Sequence, residues 1–232
     1  MRVYYLSMTP AIRNERAIRG LWWFAISMIV LAAAGLAGLD EWVAAWTATL
    51  PKGETVWRRG TDLLDLITGK ELTNFLLGFL LLVAGLALNA IARFRRFGRP
   101  LLYVGLVQFS STFFTDLSKR PFGRQRPWEA DDTGRILDQW FVGANSFPSG
   151  HAGFYFGLFA PLIMLFPRWT AAFAIVPLFI GVARIVSHDH YLADVAISAA
   201  IAALLAIGWA WRLDRGTGYT PPASRSLSVA HE

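Results

Sequence analysis

The residues of this chain that can do chemistry stand at the ends of long apolar runs. Phe147-Pro148-Ser149-Gly150-His151 is a turn that leads directly into one such run. A Pro-Ser-Gly turn leaves backbone N–H groups free, and the positive end of the helix that follows adds to them. The turn is therefore a ready anion site with His151 standing at it. Upstream lie Lys119 and Arg126-Pro127; downstream lie Arg184, His190 and Asp194. These types suit phosphoryl chemistry. Lys119, Arg126 and Arg184 can neutralise the non-bridging oxygens of a phosphoryl group, the arginines as planar bidentate donors and the lysine as a point charge. The backbone N–H groups of Ser149 and Gly150 can add donors that stabilise charge in the transition state. His190 and Asp194 are four residues apart and share a face of a helix, so the carboxylate can hold the imidazole tautomer and stabilise its cation. That pairing marks His190 as the nucleophile and leaves His151 as the acid that protonates the leaving oxygen.

Such groups need elements that carry them to one place. Of 232 residues, 55% are hydrophobic and 16% charged, and the mean hydropathy is +0.42, too apolar for an ordinary soluble domain. The composition predicts an all-α polytopic membrane protein with spans at 20–38, 73–92, 101–117, 151–166, 169–186 and 191–211. Between residues 39 and 72 apolar side chains recur at helical spacing with Trp42 and Trp46 among them. This predicts short interfacial helices on the outer side, or a packed cap that never meets substrate. The Ala-rich stretch 31–38 resembles a signal-peptide cleavage region, whereas the long basic segment before the run favours a retained anchor. Residues 1–215 read as one domain and 216–232, rich in Ser, Thr, Pro and Gly, as a disordered cytoplasmic tail. Twelve of the 22 Lys and Arg fall in the two tails, the 93–99 connection and the turn at Arg168, which puts both termini in the cytoplasm. Six spans then bring the segment 119–145, His151 and the segment 184–194 to one depth on the outer face.

Several classes are excluded or disfavoured. With no cysteine there are no disulfides, zinc thiolates or Cys nucleophile. The formal charge of +6 is spread between apolar runs, so membrane headgroups and anionic substrates are better partners than nucleic acid. His188-Asp189-His190 lacks a clear further ligand for a metal. Arg120 and Arg124 read as solvated or headgroup-facing, Asp116 as a local hydrogen-bonding partner, and Asp131, Asp132 and Asp138 as solvated loop residues.

Lys119 followed by six residues and Arg126-Pro127, then Pro148-Ser149-Gly150-His151, then Arg184, five residues, His190, three residues and Asp194, resemble in order and spacing the three signature motifs of the type 2 phosphatidic acid phosphatase superfamily. The resemblance implies a metal-independent phosphatase, without a cofactor, that forms a phosphohistidine on His190. It also implies that Asp194 orients that histidine and His151 is the general acid, with phosphate held by Lys119, Arg126, Ser149, Gly150 and Arg184. The third motif departs at Ala183, where the family pattern has Ser and hence one more supporting donor.

The expected activity is therefore hydrolysis of a phosphate monoester or pyrophosphate on a membrane lipid, at the outer face of a bacterial-type inner membrane. Undecaprenyl pyrophosphate, phosphatidylglycerophosphate, phosphatidic acid and lipid A all fit. The alternatives are lipid-to-lipid phosphotransfer and a non-catalytic lipid-binding or transport protein. A vanadium haloperoxidase site is similar, but its bearers are usually large and soluble.

Overall fold

A computed structural model describes residues 12–51, 53, 55–133 and 139–215, and the side chains of 131–133 are not included. The expected disordered tail, 216–232, and Asp138 lie outside the described residues, as do the side chains of Asp131 and Asp132. Among the described residues the chain is helical, without a strand. In order come α1 (Glu15–Ala34), α2 (Asp40–Ala48), α3 (Val56–Thr68), α4 (Leu76–Ala90), α5 (Arg95–Phe122), α6 (Pro127–Thr133), α7 (Gly150–Leu165), α8 (Thr170–Val186) and α9 (Leu192–Arg215).

The bundle is built around α9. Ala193, Ala196, Ala199, Ala200, Ala203 and Ala206 along it are buried, so their small side chains let α1, α5 and α7 approach closely. The outer surface is the reverse: Trp23 is 71% exposed, Phe79 57% and Ile175 66%, an apolar exterior that suits lipid and not water. Between α1 and α2 a five-residue π-helical turn, Gly35–Leu39, bends the chain at Gly38, whose φ of 127° needs glycine. That bend points Asp40 at the start of α9.

Three helical stretches are long and apolar enough to cross a membrane: Glu15–Ala48, Pro167–Val186 and Leu192–Arg215. The other three expected spans differ. Leu76–Ala90 and Gly150–Leu165 are apolar but have only 15 and 16 residues, about 23 Å of helix against a hydrocarbon core of about 30 Å. α5 has 28 residues but begins with Arg95, Arg96 and Arg99 and ends with Lys119 and Arg120. The supposed connection 93–99 is thus partly the first turn of α5. Arg99 is buried there, donating to Asp214 at 2.6 Å, while Asp214 also accepts the backbone N–H groups of Ile12 and Arg13.

α4 and α5 form a close antiparallel pair through glycines spaced seven apart on each helix: Gly78 and Gly85 pack against Gln108 and Leu102 of α5, and Gly98 and Gly105 against Asn89 and Leu82 of α4. A Cβ at Gly85 would stand 2.5 Å from the Leu102 nitrogen and one at Gly105 2.8 Å from the Leu82 nitrogen. The neighbours are backbone and cannot rotate away. Gly85→Ala is expected to lower stability by about 1–3 kcal/mol through forced separation of these helices, read as a lower midpoint of thermal unfolding in detergent.

Candidate active site

Each candidate residue is placed by a local rule. Gly123, at φ 50°, ends α5 with its N–H on the Lys119 carbonyl, which sets Lys119 on the last turn. Arg126 precedes Pro127 at the first position of α6, and Glu129 reaches back 2.7 Å to accept the Arg126 N–H in a capping-box arrangement. Ser149 caps α7, its side chain accepting from the Ala152 N–H. His151 lies on the first turn of that helix. Arg184 is on the last turn of α8, and His190 and Asp194 flank the start of α9.

These elements converge at one end of the bundle. His190 Nδ1 faces Asp194 Oδ2 at 3.5 Å and Ser146 Oγ at 3.4 Å, while its Nε2 has no protein partner among the described residues. Asp194 is fully buried. It accepts from Ser146 Oγ at 2.6 Å, from the Tyr191 N–H at 3.0 Å and from Arg124 Nη1 at 2.7 Å. Burial pushes the His190 pKa down to about 4 against the opposing pull of Asp194. The ring is therefore neutral near pH 7, with one nitrogen turned to a carboxylate and the other available to an electrophile.

The cations form a second, contiguous layer. Lys119 Nζ donates to the Asn145 carbonyl at 2.7 Å and Arg126 Nε to the Asn145 side-chain oxygen at 3.2 Å. Asp189 bridges the two arginines, with Oδ2 3.0 Å from Arg184 and Oδ1 3.9 Å from Arg126. A phosphoryl group bound by both guanidinium groups would compete with this carboxylate. Of the two expected backbone donors, Ser149 N–H is occupied by the Asp194 carbonyl at 3.1 Å, and Gly150 N–H has no acceptor among the described residues. His151 Nε2 lies 2.9 Å from Asp65 and 3.2 Å from Lys70. A cavity of about 390 Å³ contains His151, Asp65, Arg184 and Asp189 in its lining. A larger cavity, of about 690 Å³, is an apolar groove among α1, α7 and α8 that none of the candidate residues lines.

Two sequence readings change. Arg124 is neither solvated nor headgroup-facing: it is 4% exposed, sits 3.8 Å below the Tyr191 ring and 4.7 Å from the Trp140 ring, and donates to both Asp194 and Asp40. The segment after α5 is not all loop, since 127–133 is helical. Arg120 is exposed, as expected. His188 is buried with Nδ1 2.9 Å from Thr47 Oγ1. The residues that sequence reasoning missed are Arg124, Asp40, Ser146, Asn145, Asp65 and Lys70. Only Arg124, beside a motif arginine, had a sequence signal that could have singled it out.

An apolar helical bundle that collects two histidines, three cations and a buried carboxylate at one end defines a helical membrane protein with a candidate anion site. The chain belongs to the PAP2 superfamily, which matches residues 100–217 and therefore all three motifs. It is similar to the lipid A 1-phosphatase of Rhizobium etli, 33% identical over 133 residues that cover 54% of this chain and 55% of that protein. It is also similar to the lipid A 1-phosphatase of Rhizobium johnstonii, 29% identical over 150 residues covering 62% and 56%. The chain thus spans about half the length of the curated relatives it matches. No solved structure matches it.

Two outcomes are expected. Arg124→Ala leaves Asp194 and Asp40 buried without a counter-charge and should cost about 3–5 kcal/mol, seen in thermal unfolding; Arg124→Lys, which cannot span both carboxylates, should recover only part. Asp189→Asn releases the arginines and should tighten binding of inorganic vanadate about threefold, consistent with a partly exposed ion pair.

Proposed function

We propose that this chain is a lipid phosphatase that works without a metal, through a covalent phosphohistidine on His190. The observation that carries the reading is the His190–Asp194 pair: a neutral imidazole whose Nδ1 is held by a buried carboxylate, leaving Nε2 for attack, beside three cations. In the first step Nε2 bonds to phosphorus, the bond to the lipid oxygen breaks, and His151 gives that oxygen a proton. In the second, water attacks phosphorus, its proton passes to His151, and the electron pair of the N–P bond returns to His190. Lys119, Arg126, Arg184 and the Gly150 N–H hold the phosphoryl oxygens while charge develops. With Ser149 N–H spent on Asp194, that residue serves by capping α7 and holding the turn.

The substrate is a phosphorylated membrane lipid, and the names of both relatives put lipid A first among the candidates. Residues 1–215 act as one domain. α1, α4, α5, α7, α8 and α9 span the bilayer, the shorter ones where the membrane thins or their flanks extend. The exposed Phe79, Leu80 and Leu86 of α4 and Phe113, Phe114 and Leu117 of α5 support this, since in water they would be a liability. The site faces the outer side of a bacterial inner membrane and the termini the cytoplasm, as the basic tails favour.

The test is phosphate release by the detergent-purified full chain in EDTA, with lipid A, phosphatidylglycerophosphate, phosphatidic acid and undecaprenyl pyrophosphate as substrates. Release from lipid A is expected, and His190→Ala should lower turnover by roughly three orders of magnitude or more. Full activity in a folded His190→Ala protein would sink the mechanism; release only from another lipid would reassign the substrate.

A further inference from the structure

α3 carries chemistry that none of the three motifs contains. Thr55 caps its start and Gly69, at φ 69°, ends it, with the Lys70 N–H donating to the Asp65 carbonyl at 2.9 Å. That turn folds Lys70 back beside Asp65. One side of the helix is apolar and exposed, with Val56, Leu63, Leu66 and Ile67, whereas Thr61 and Asp65 on the other are buried. Trp57 stacks on Phe179 of α8 at 5.3 Å, and Leu64 packs with Phe154, Tyr155 and Ile180. The helix is thus fixed against α7 and α8 with Asp65 directed at the start of α7. There Asp65 Oδ2 lies 2.9 Å from His151 Nε2, and Oδ1 accepts from Tyr155 Oη at 2.7 Å.

Both oxygens of Asp65 are therefore engaged, and the carboxylate cannot swing away without losing a buried bond. Burial works to raise its pKa, but the bonds from His151 and Tyr155 and the charge of Lys70 outweigh that and keep it below the usual carboxylate range. An ionised Asp65 accepts a proton-bearing Nε2. His151 Nδ1 has no protein partner among the described residues, so it is the nitrogen left for the substrate. The charged or titratable groups that face the ring are Asp65, Lys70, Tyr155 and Arg184, and Arg58 and Asp189 line the same cavity. Burial first, then Arg184 and Lys70, oppose a charged imidazole, and Asp65 is the anion that favours one.

We propose that Asp65 is the positioning residue of the general acid: it accepts the Nε2–H of His151, fixes the ring and stabilises the imidazolium, so that the proton on Nδ1 goes to the leaving oxygen. The site then holds two carboxylate–imidazole pairs, His190 with Asp194 for attack and His151 with Asp65 for protonation. The second pair lets α3, a helix outside the motifs, set the rate of bond breaking. As the P–O bond breaks, its electron pair stays on the lipid oxygen and takes the Nδ1 proton, leaving a neutral imidazole that can accept a proton from water in the second step. This inference rests on the phosphatase reading above.

The experiment compares wild type, Asp65→Asn and Tyr155→Phe in detergent on two substrates. One is a lipid phosphate with an alkoxide leaving group. The other is a nitrophenyl phosphate with an acyl tail, whose leaving phenolate needs no proton. Asp65→Asn should lower kcat on the lipid phosphate at least about tenfold with KM little changed, and move the basic limb of the kcat profile to lower pH. It should keep most of the nitrophenyl activity. Tyr155→Phe, which frees one oxygen of Asp65, should shift the same limb by less, and it supplies the answer if Asp65→Asn does not fold. Equal losses on both substrates, an unmoved basic limb or undiminished turnover would overturn the proposal while wild-type activity keeps the phosphatase reading. A wild type inactive on every phosphate would overturn both.

Discussion

The buried charge of Asp194 is the constraint around which this end of the molecule is arranged. A carboxylate shielded from water by an apolar bundle costs several kcal/mol unless it is met by an opposite charge and by donors. Here Arg124 meets it, Ser146 and the Tyr191 N–H fill the remaining lone pairs, and the Asp194 carbonyl binds the turn before α7. Arg124 carries two half-partners in turn, since Asp40 takes its other nitrogen and accepts the Ala193 N–H at 2.9 Å. One guanidinium thereby joins the bend after α1, the loop after α5 and the first turn of α9. His190 is oriented as a by-product of that network.

The opposite end of α9 repeats the device without the histidines. Asp214 is 2% exposed, pairs with Arg99 of α5 and accepts two N–H groups from the segment before α1. The same helix is thus tied at both ends by a buried carboxylate to an arginine from the α5 side of the chain. What distinguishes the two ends is the company at Asp194, where a neutral imidazole and three further cations lie within a few contacts. A buried ion pair by itself therefore indicates assembly, and chemistry is inferred from the unsatisfied groups beside it.

Some of this was legible in the sequence for physical reasons. His190 and Asp194 are four residues apart across the start of α9, so their proximity follows from local geometry, and Arg126-Pro127 and Ser149-Gly150 are read by capping rules that act over four residues. The membrane setting follows from apolar content, and helicity from apolar runs long enough to cross a bilayer with every backbone group satisfied within the segment. Span lengths were less legible, because a run of apolar residues does not say where glycine, proline or a buried charge will end the helix; α4 and α7 stop short and α5 runs into its charges. Arg124 was misread because a lone arginine at a helix end has the same sequence signature whether it faces headgroups or two buried carboxylates.

Asp40, Ser146, Asp65 and Lys70 lie far along the chain from the residues they touch, and nothing in their own neighbourhoods sets them apart from solvated side chains. The chain by itself determined which chemistry is available: the residue types, their local spacing, and an apolar exterior that drives polar groups to the bundle's ends. The tertiary structure decided which of the polar groups are partners. Partnership between α2, α3 and α9 depends on how the helices pack, and packing is set by side-chain volumes along whole faces that no local pattern reports.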